Sequence, residues 1–218
     1  MIMEGLLTLH QTNIIVHVTA GSVALLLGLL ALVVKKGGKQ HKFIGNIFLI
    51  FLSIVIVTGL LGVLVFGRNT FLLVLTILSG YSGYSGYRIV KQKNNSPKIT
   101  DIVVALVAVS SGLYFVYYFK SIGMIWSPVI IYSTVGYLFL MVVYDVLRYF
   151  IPAGTYKKMW LYEHIVKMTG AFSGLLSAFS GTVFEQYQPY SQFLPSVAGT
   201  IAAIAFVVYY YKKSYTFV

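Results

Sequence analysis

The sequence predicts an all-α fold, an integral membrane bundle of seven transmembrane helices. Three observations carry this: seven long apolar stretches, a shortage of charge, and basic residues confined to alternate loops. Apolar residues make up 58% of the 218 and charged residues only 10%, against about 25% charged in a typical soluble domain. So few polar side chains cannot cover a surface in water, whereas a surface facing lipid needs none. We read the chain, residues 1–218, as a single transmembrane domain with its N-terminus outside and its C-terminus cytoplasmic.

A helix needs about 20 residues to cross the hydrocarbon layer. The apolar stretches predict helices over 11–34, 43–66, 70–87, 99–119, 126–147, 159–184 and 193–211. The opening Met1-Ile2-Met3-Glu4 lacks the basic start of a secretory signal peptide, so the first helix is expected to be retained. Lys35-Lys36-Gly37-Gly38-Lys39 separates the first two helices, and Gly67-Arg68-Asn69 reads as a tight turn before the third. The third is the weakest span, because Gly80, Gly83 and Gly86 interrupt it. Ser96-Pro97 resembles an N-cap followed by proline at the first helical position. Ile151-Pro152-Ala153-Gly154 and Gln188-Pro189 mark the loops before the sixth and seventh helices.

Orientation follows from the loops. One side collects Lys35, Lys36, Lys39, Lys42, Arg88, Lys91, Lys93, Lys98, Arg148, Lys157, Lys158, Lys212 and Lys213; the other holds Arg68 and Lys120, with Lys167 inside a span. The positive-inside rule makes the richer side cytoplasmic. The net charge of +11 is then a topology signal and a contact for anionic lipids on that side, and no nucleic-acid partner is implied. Without cysteine there is neither a disulfide nor a thiolate metal site. No Gly-x-Ser-x-Gly elbow and no phosphate-binding glycine motif occurs, which argues against a serine hydrolase and an ATP-driven pump.

Small residues recur at three- and four-residue intervals. Gly21, Ala24, Gly28 and Ala31 line the first helix; Gly170, Gly174, Ala178 and Gly181 line the sixth, beside Ser173, Ser177 and Ser180. Such faces let helix backbones approach closely in lipid, within one bundle or between copies or partner subunits.

Ionisable residues at membrane depth are expensive, so each is a functional candidate. His17 lies toward the outside, about two turns into the first predicted helix. His41, His164, Asp101, Asp145 and Glu163 fall near the cytoplasmic face. Imidazole and carboxylate suit a divalent metal, with His41, His164 and Glu163 as candidate ligands. His41 and His164 also suit the two axial positions of a haem, if the second and sixth helices are neighbours. Met168, four residues after His164, is a second soft ligand on the same helical face. Local alternatives stand beside these. Glu163 and Lys167 are spaced to pair along one helix, as are Asp145 and Arg148, and Asp101 in a first turn complements the helix dipole. His41 in its basic loop reads equally as a solvated headgroup contact, and His17 as a structural hydrogen-bonding group.

The run Gly80-Tyr81-Ser82-Gly83-Tyr84-Ser85-Gly86-Tyr87-Arg88 is the most unusual local sequence. Its tyrosines recur every three residues and climb a slowly rotating stripe, with glycines opening room for a close backbone or a flat ligand. A quinone or haem edge suits such a wall, with Tyr84, Tyr87 and Arg88 beside it. An interfacial aromatic belt explains the same pattern.

His17 with Gly21, His41-Lys42-Phe43-Ile44-Gly45, Tyr84-Ser85-Gly86-Tyr87-Arg88 and His164-x-x-x-Met168-x-Gly170-Ala171 together resemble a family of predicted bacterial multi-pass membrane proteins. That family is known only as a domain of unknown function, and the likeness spans most of the chain. It implies an integral bacterial membrane protein and marks His17, His41, Arg88 and His164 for test, without supplying an activity. The family pattern has an arginine just before the methionine, where this chain has Lys167.

Three function classes follow. The first is a redox or metal-binding protein holding haem or a divalent metal at His41 and His164. The second is an accessory or scaffold subunit of a larger membrane complex. The third is a proton-coupled transporter using His17 and the inner-face acids.

Overall fold

A computed structural model describes residues 2–67, 70–123 and 128–215. The expected turn residue Arg68 and the expected helix start at Trp126 lie outside the described residues. The described residues form seven α-helices and no strand: α1 (Ile2–Val33), α2 (Lys39–Leu64), α3 (Thr70–Gln92), α4 (Ile99–Ser121), α5 (Pro128–Leu147), α6 (Ala153–Val183) and α7 (Tyr190–Tyr215). Short 3-10 turns follow α5 and α6 at Arg148–Phe150 and Glu185–Tyr187. The all-α fold is as expected. Among the described residues α1, α2, α4, α5 and α7 are long and apolar enough to cross a membrane. At 23 and 31 residues, α3 and α6 have the length and fall short in composition.

Several boundaries move. α6 begins at Ala153, six residues before the expected start, so Glu163 and His164 stand roughly three turns into it rather than one. The N-cap of α4 is Lys98, which places Ser96 and Pro97 outside the helix; Asp101, reaching back to the Lys98 N–H at 3.0 Å, starts it instead. α1 begins at Ile2, which puts His17 roughly four turns in.

The chain groups into two compact units, Met1–Thr76 and Ile77–Val218. The first is an antiparallel hairpin of α1 and α2. Its small-residue stripe faces inward: Ala24 and Gly28 are buried, and a Cβ on Gly21 would touch Val55 at 3.8 Å. Lys36 closes the end of α1 by donating to the carbonyls of Ala31, at 3.0 Å, and Leu32. Burial lowers its pKa below the ordinary lysine value.

In the second unit the helices touch through glycine. A Cβ on Gly86 of α3 would meet Met168 Sδ at 2.9 Å and Lys167 Cβ at 3.2 Å on α6. Gly174 of α6 lies against Ser79, and Gly199 of α7 against Ser173. Gly112 of α4 admits the Phe139 ring of α5, 2.7 Å from where a Cβ would stand. Leu78, Tyr81, Ala108, Leu138, Met141 and Val142 form the apolar core beside these contacts.

Candidate functional site

Three helices of the second unit turn one face each toward a common cavity of about 240 Å³. α3 contributes Tyr81, Tyr84, Ser85 and Arg88, spaced i, i+3, i+4 and i+7, which is one helical face. α5 repeats the pattern with Val142, Asp145, Val146 and Tyr149, the last just past its end, and α4 adds Asp101, Ile102, Ala105, Leu106 and Val109. Arg148, in the 3-10 turn, completes the wall. Asn95 pins that turn, donating to the Arg148 carbonyl at 3.0 Å and the Ile151 carbonyl at 2.6 Å.

Two groups of charges border the cavity. In the first, Arg88 holds Asp101 by a fork: Nε donates to Oδ1 and Nη2 to Oδ2, both at 2.8 Å. The Tyr84 hydroxyl donates to Oδ1 and the Lys98 N–H to Oδ2, each at 3.0 Å. Four donors thus fill both oxygens of this carboxylate.

The second group is buried. Tyr81 OH donates to Asp145 Oδ2 at 2.7 Å, and the Lys167 ammonium donates to Oδ1. Arg148 Nη1 donates to Glu163 Oε2 at 3.1 Å and to the Tyr156 hydroxyl at 2.8 Å. Tyr156 OH donates to Glu163 Oε2 at 2.9 Å, and Tyr144 OH to Oε1. Arg148 Nε stands 3.5 Å from Asp145 Oδ1 and makes no hydrogen bond. This contact is therefore electrostatic. Asp145, Glu163, Arg148 and Lys167, all buried, form a neutral quartet wired by three tyrosines. Such a quartet contributes little net stability, because desolvation offsets its attraction, yet removing one member leaves an uncompensated charge.

The expected site residues divide between the units. In the first unit, His17 Nδ1 and Thr58 Oγ1 share a hydrogen bond at 2.8 Å, and Thr58 Oγ1 also lies 2.7 Å from the Ile54 carbonyl. His41 Nδ1 donates to the Ala31 carbonyl at 3.1 Å. In the second unit, His164 Nδ1 donates to the Gly86 carbonyl, also at 3.1 Å, and Met168 packs on the same glycine. Among the described residues, no three histidine or acidic side chains gather as metal ligands would. Both oxygens of Glu163 are already engaged.

Tyr84, Arg88, Asp101 and Asp145 come together at the cavity, whereas Tyr87 rotates away, 40% exposed, with the Lys91 ammonium 5.4 Å from its ring centre. Glu163 and Lys167 do not pair along α6 as their spacing suggests: each reaches a residue at the end of α5. Arg88 and Arg148, counted as loop charges above, are committed to ion pairs with acids. Sequence reasoning missed Tyr144, Tyr156 and Asn95 outright. With 18 tyrosines in the chain, nothing distinguished the two that reach Glu163.

No protein-family model matches the chain, and neither does any curated protein or solved structure.

Proposed function

We propose that the chain is a seven-span protein of the bacterial cytoplasmic membrane, N-terminus outside, which binds a small molecule in the cavity of its second unit. The observation that carries this reading is a chamber of about 240 Å³ walled by Tyr81, Tyr84, Arg88, Asp101, Asp145 and Arg148. Charges at membrane depth are costly and mark sites of function; here they border space rather than filling it. The remaining loop lysines, Lys35 to Lys42, Lys91 to Lys98, Lys157, Lys158, Lys212 and Lys213, belong to the cytoplasmic face in this reading and meet anionic lipids there.

The cysteine-free sequence makes the test clean. Ser85→Cys, on the cavity wall, should react with a small neutral thiol reagent, while Ser177→Cys, buried at Ser196, should not. Equal protection of both would remove the cavity as a binding site. Lys120→Cys should label from outside intact cells with an impermeant reagent, and Lys158→Cys only after permeabilisation. The reverse would invert the topology.

A second reading, proton-coupled transport, is favoured by the contact of Asp145 with both the cavity and Lys167. It places the proton on Asp145 or Lys167 as solute exchanges, with His17 a separate group in the other unit.

A further inference from the structure

Resting on the reading of this cavity as a binding site, we propose that its occupant is a membrane lipid with an uncharged, carbonyl-bearing headgroup. It enters sideways between α4 and α5, and its tail stays in the bilayer. A prenylquinone and a diacylglycerol share this chemistry.

Size limits the occupant first. Pockets that enclose a whole drug-sized molecule run to roughly 300–1,000 Å³, and this one holds about 240 Å³. That is room for a ring or a glycerol diester, with the rest of the molecule outside. The cavity also has two unlike ends. Asp101 opens α4, while Arg148 and Tyr149 follow α5, so the polar wall lies at the helix ends. Ile102, Leu106 and Val109 climb α4 from there for roughly 12 Å, and Val146 and Val142 climb α5 beside them. Ile102, Leu106 and Val146 are 52%, 61% and 48% exposed, on two helices apolar enough to span a membrane. A molecule seated with its polar head at the helix ends therefore directs its apolar part along these residues into the hydrocarbon.

Charge decides the headgroup. Arg88 is held by Asp101, and Arg148 by Glu163 and Asp145. An anionic head would add a negative charge where each arginine already faces a carboxylate, and that charge would go uncompensated. One donor at the wall makes no hydrogen bond: Arg148 Nε, buried and 3.5 Å from Asp145 Oδ1. A neutral carbonyl oxygen can accept from it while Nη1 stays on Glu163.

Native mass spectrometry of the full chain in detergent tests this with three probes at matched concentration: decylubiquinone, dioctanoylglycerol and the anionic dioctanoylphosphatidylglycerol. One neutral probe should bind per chain, and the anionic probe at least about tenfold more weakly, the least an uncompensated charge in the cavity should produce. Which neutral probe binds identifies the source. Ala105→Phe, which fills the chamber, and Leu106→Trp, which closes its lipid-facing rim, should each lose the bound lipid while circular dichroism stays that of wild type. Equal or tighter anionic binding overturns the headgroup assignment and leaves the cavity reading intact. Neutral binding that survives in a folded Ala105→Phe or Leu106→Trp protein overturns the location. Should no probe bind, this inference falls; the cavity reading falls with it only if Ser85→Cys is also unreactive.

Discussion

The two units carry polar side chains into an apolar layer by different means. In Met1–Thr76 the polar groups are mostly hydroxyls that turn back on their own helix. Thr8, Thr12, Ser22 and Ser53 each donate to the carbonyl four residues earlier, at 2.8 to 2.9 Å. Cross-helix bonds run from Asn13 to the Thr58 carbonyl at 3.1 Å, between His17 and Thr58 Oγ1, and from His41 to the Ala31 carbonyl. In Ile77–Val218 the ionised groups cannot be satisfied within one helix. Asp145 needs α3 and α6, Glu163 needs the end of α5, and Arg88 needs α4. A hydroxyl therefore travels with its helix, whereas a charge ties helices to one another. The first unit is held by packing and the second by packing plus obligatory partners.

If that contrast is right, the largest effect belongs to Lys167→Met. It leaves Asp145 without its ammonium partner and should cost about 3–5 kcal/mol of unfolding free energy, with most recovered in Asp145→Asn/Lys167→Met. Denaturant titration in micelles reads both, and a single-variant cost below about 1 kcal/mol would place the pair among weak surface bridges. Next comes glycine at helix contacts. Gly86→Ala, facing Met168 Sδ at 2.9 Å, should destabilise by about 1–3 kcal/mol through overpacking. Gly21→Ala, with Val55 at 3.8 Å, should be nearly neutral, and equal losses at the two sites would erase the distinction in tightness. The smallest effect is Thr58→Val, which removes the hydrogen-bond partner of His17; hydrogen bonds between membrane helices average about 0.6 kcal/mol. A cost of several kcal/mol there would mean that the first unit also depends on a buried polar contact.

The seven helices were legible because each apolar run is long and bounded by glycine, proline or lysine. α6 was misjudged at its start because Thr155 to Lys158 read as loop charge, although Tyr156 among them is fully buried. Half of the candidate site was visible in the run from Tyr81 to Arg88, whose spacing lays four cavity residues on one face. The acids were visible too, since the chain has only five. What stayed hidden was partnership. Spacing along a helix proposes Glu163 with Lys167, and only the packing of α5 against α6 exchanges those partners. His41 and His164 drew attention as rare side chains, and each donates its Nδ1 proton to a backbone carbonyl.

The exchange of partners bears on the order in which these helices come together. Asp145 has Arg148 three residues behind it, and Glu163 has Lys167 four behind. At those separations opposite charges on one helix attract, so each acid has a basic neighbour before α5 and α6 meet. Once they meet, Lys167 reaches Asp145, and Arg148 reaches Glu163 while staying 3.5 Å from Asp145. The same four side chains thus serve twice, shielding one another along each helix while the helices are separate and joining them once they have met.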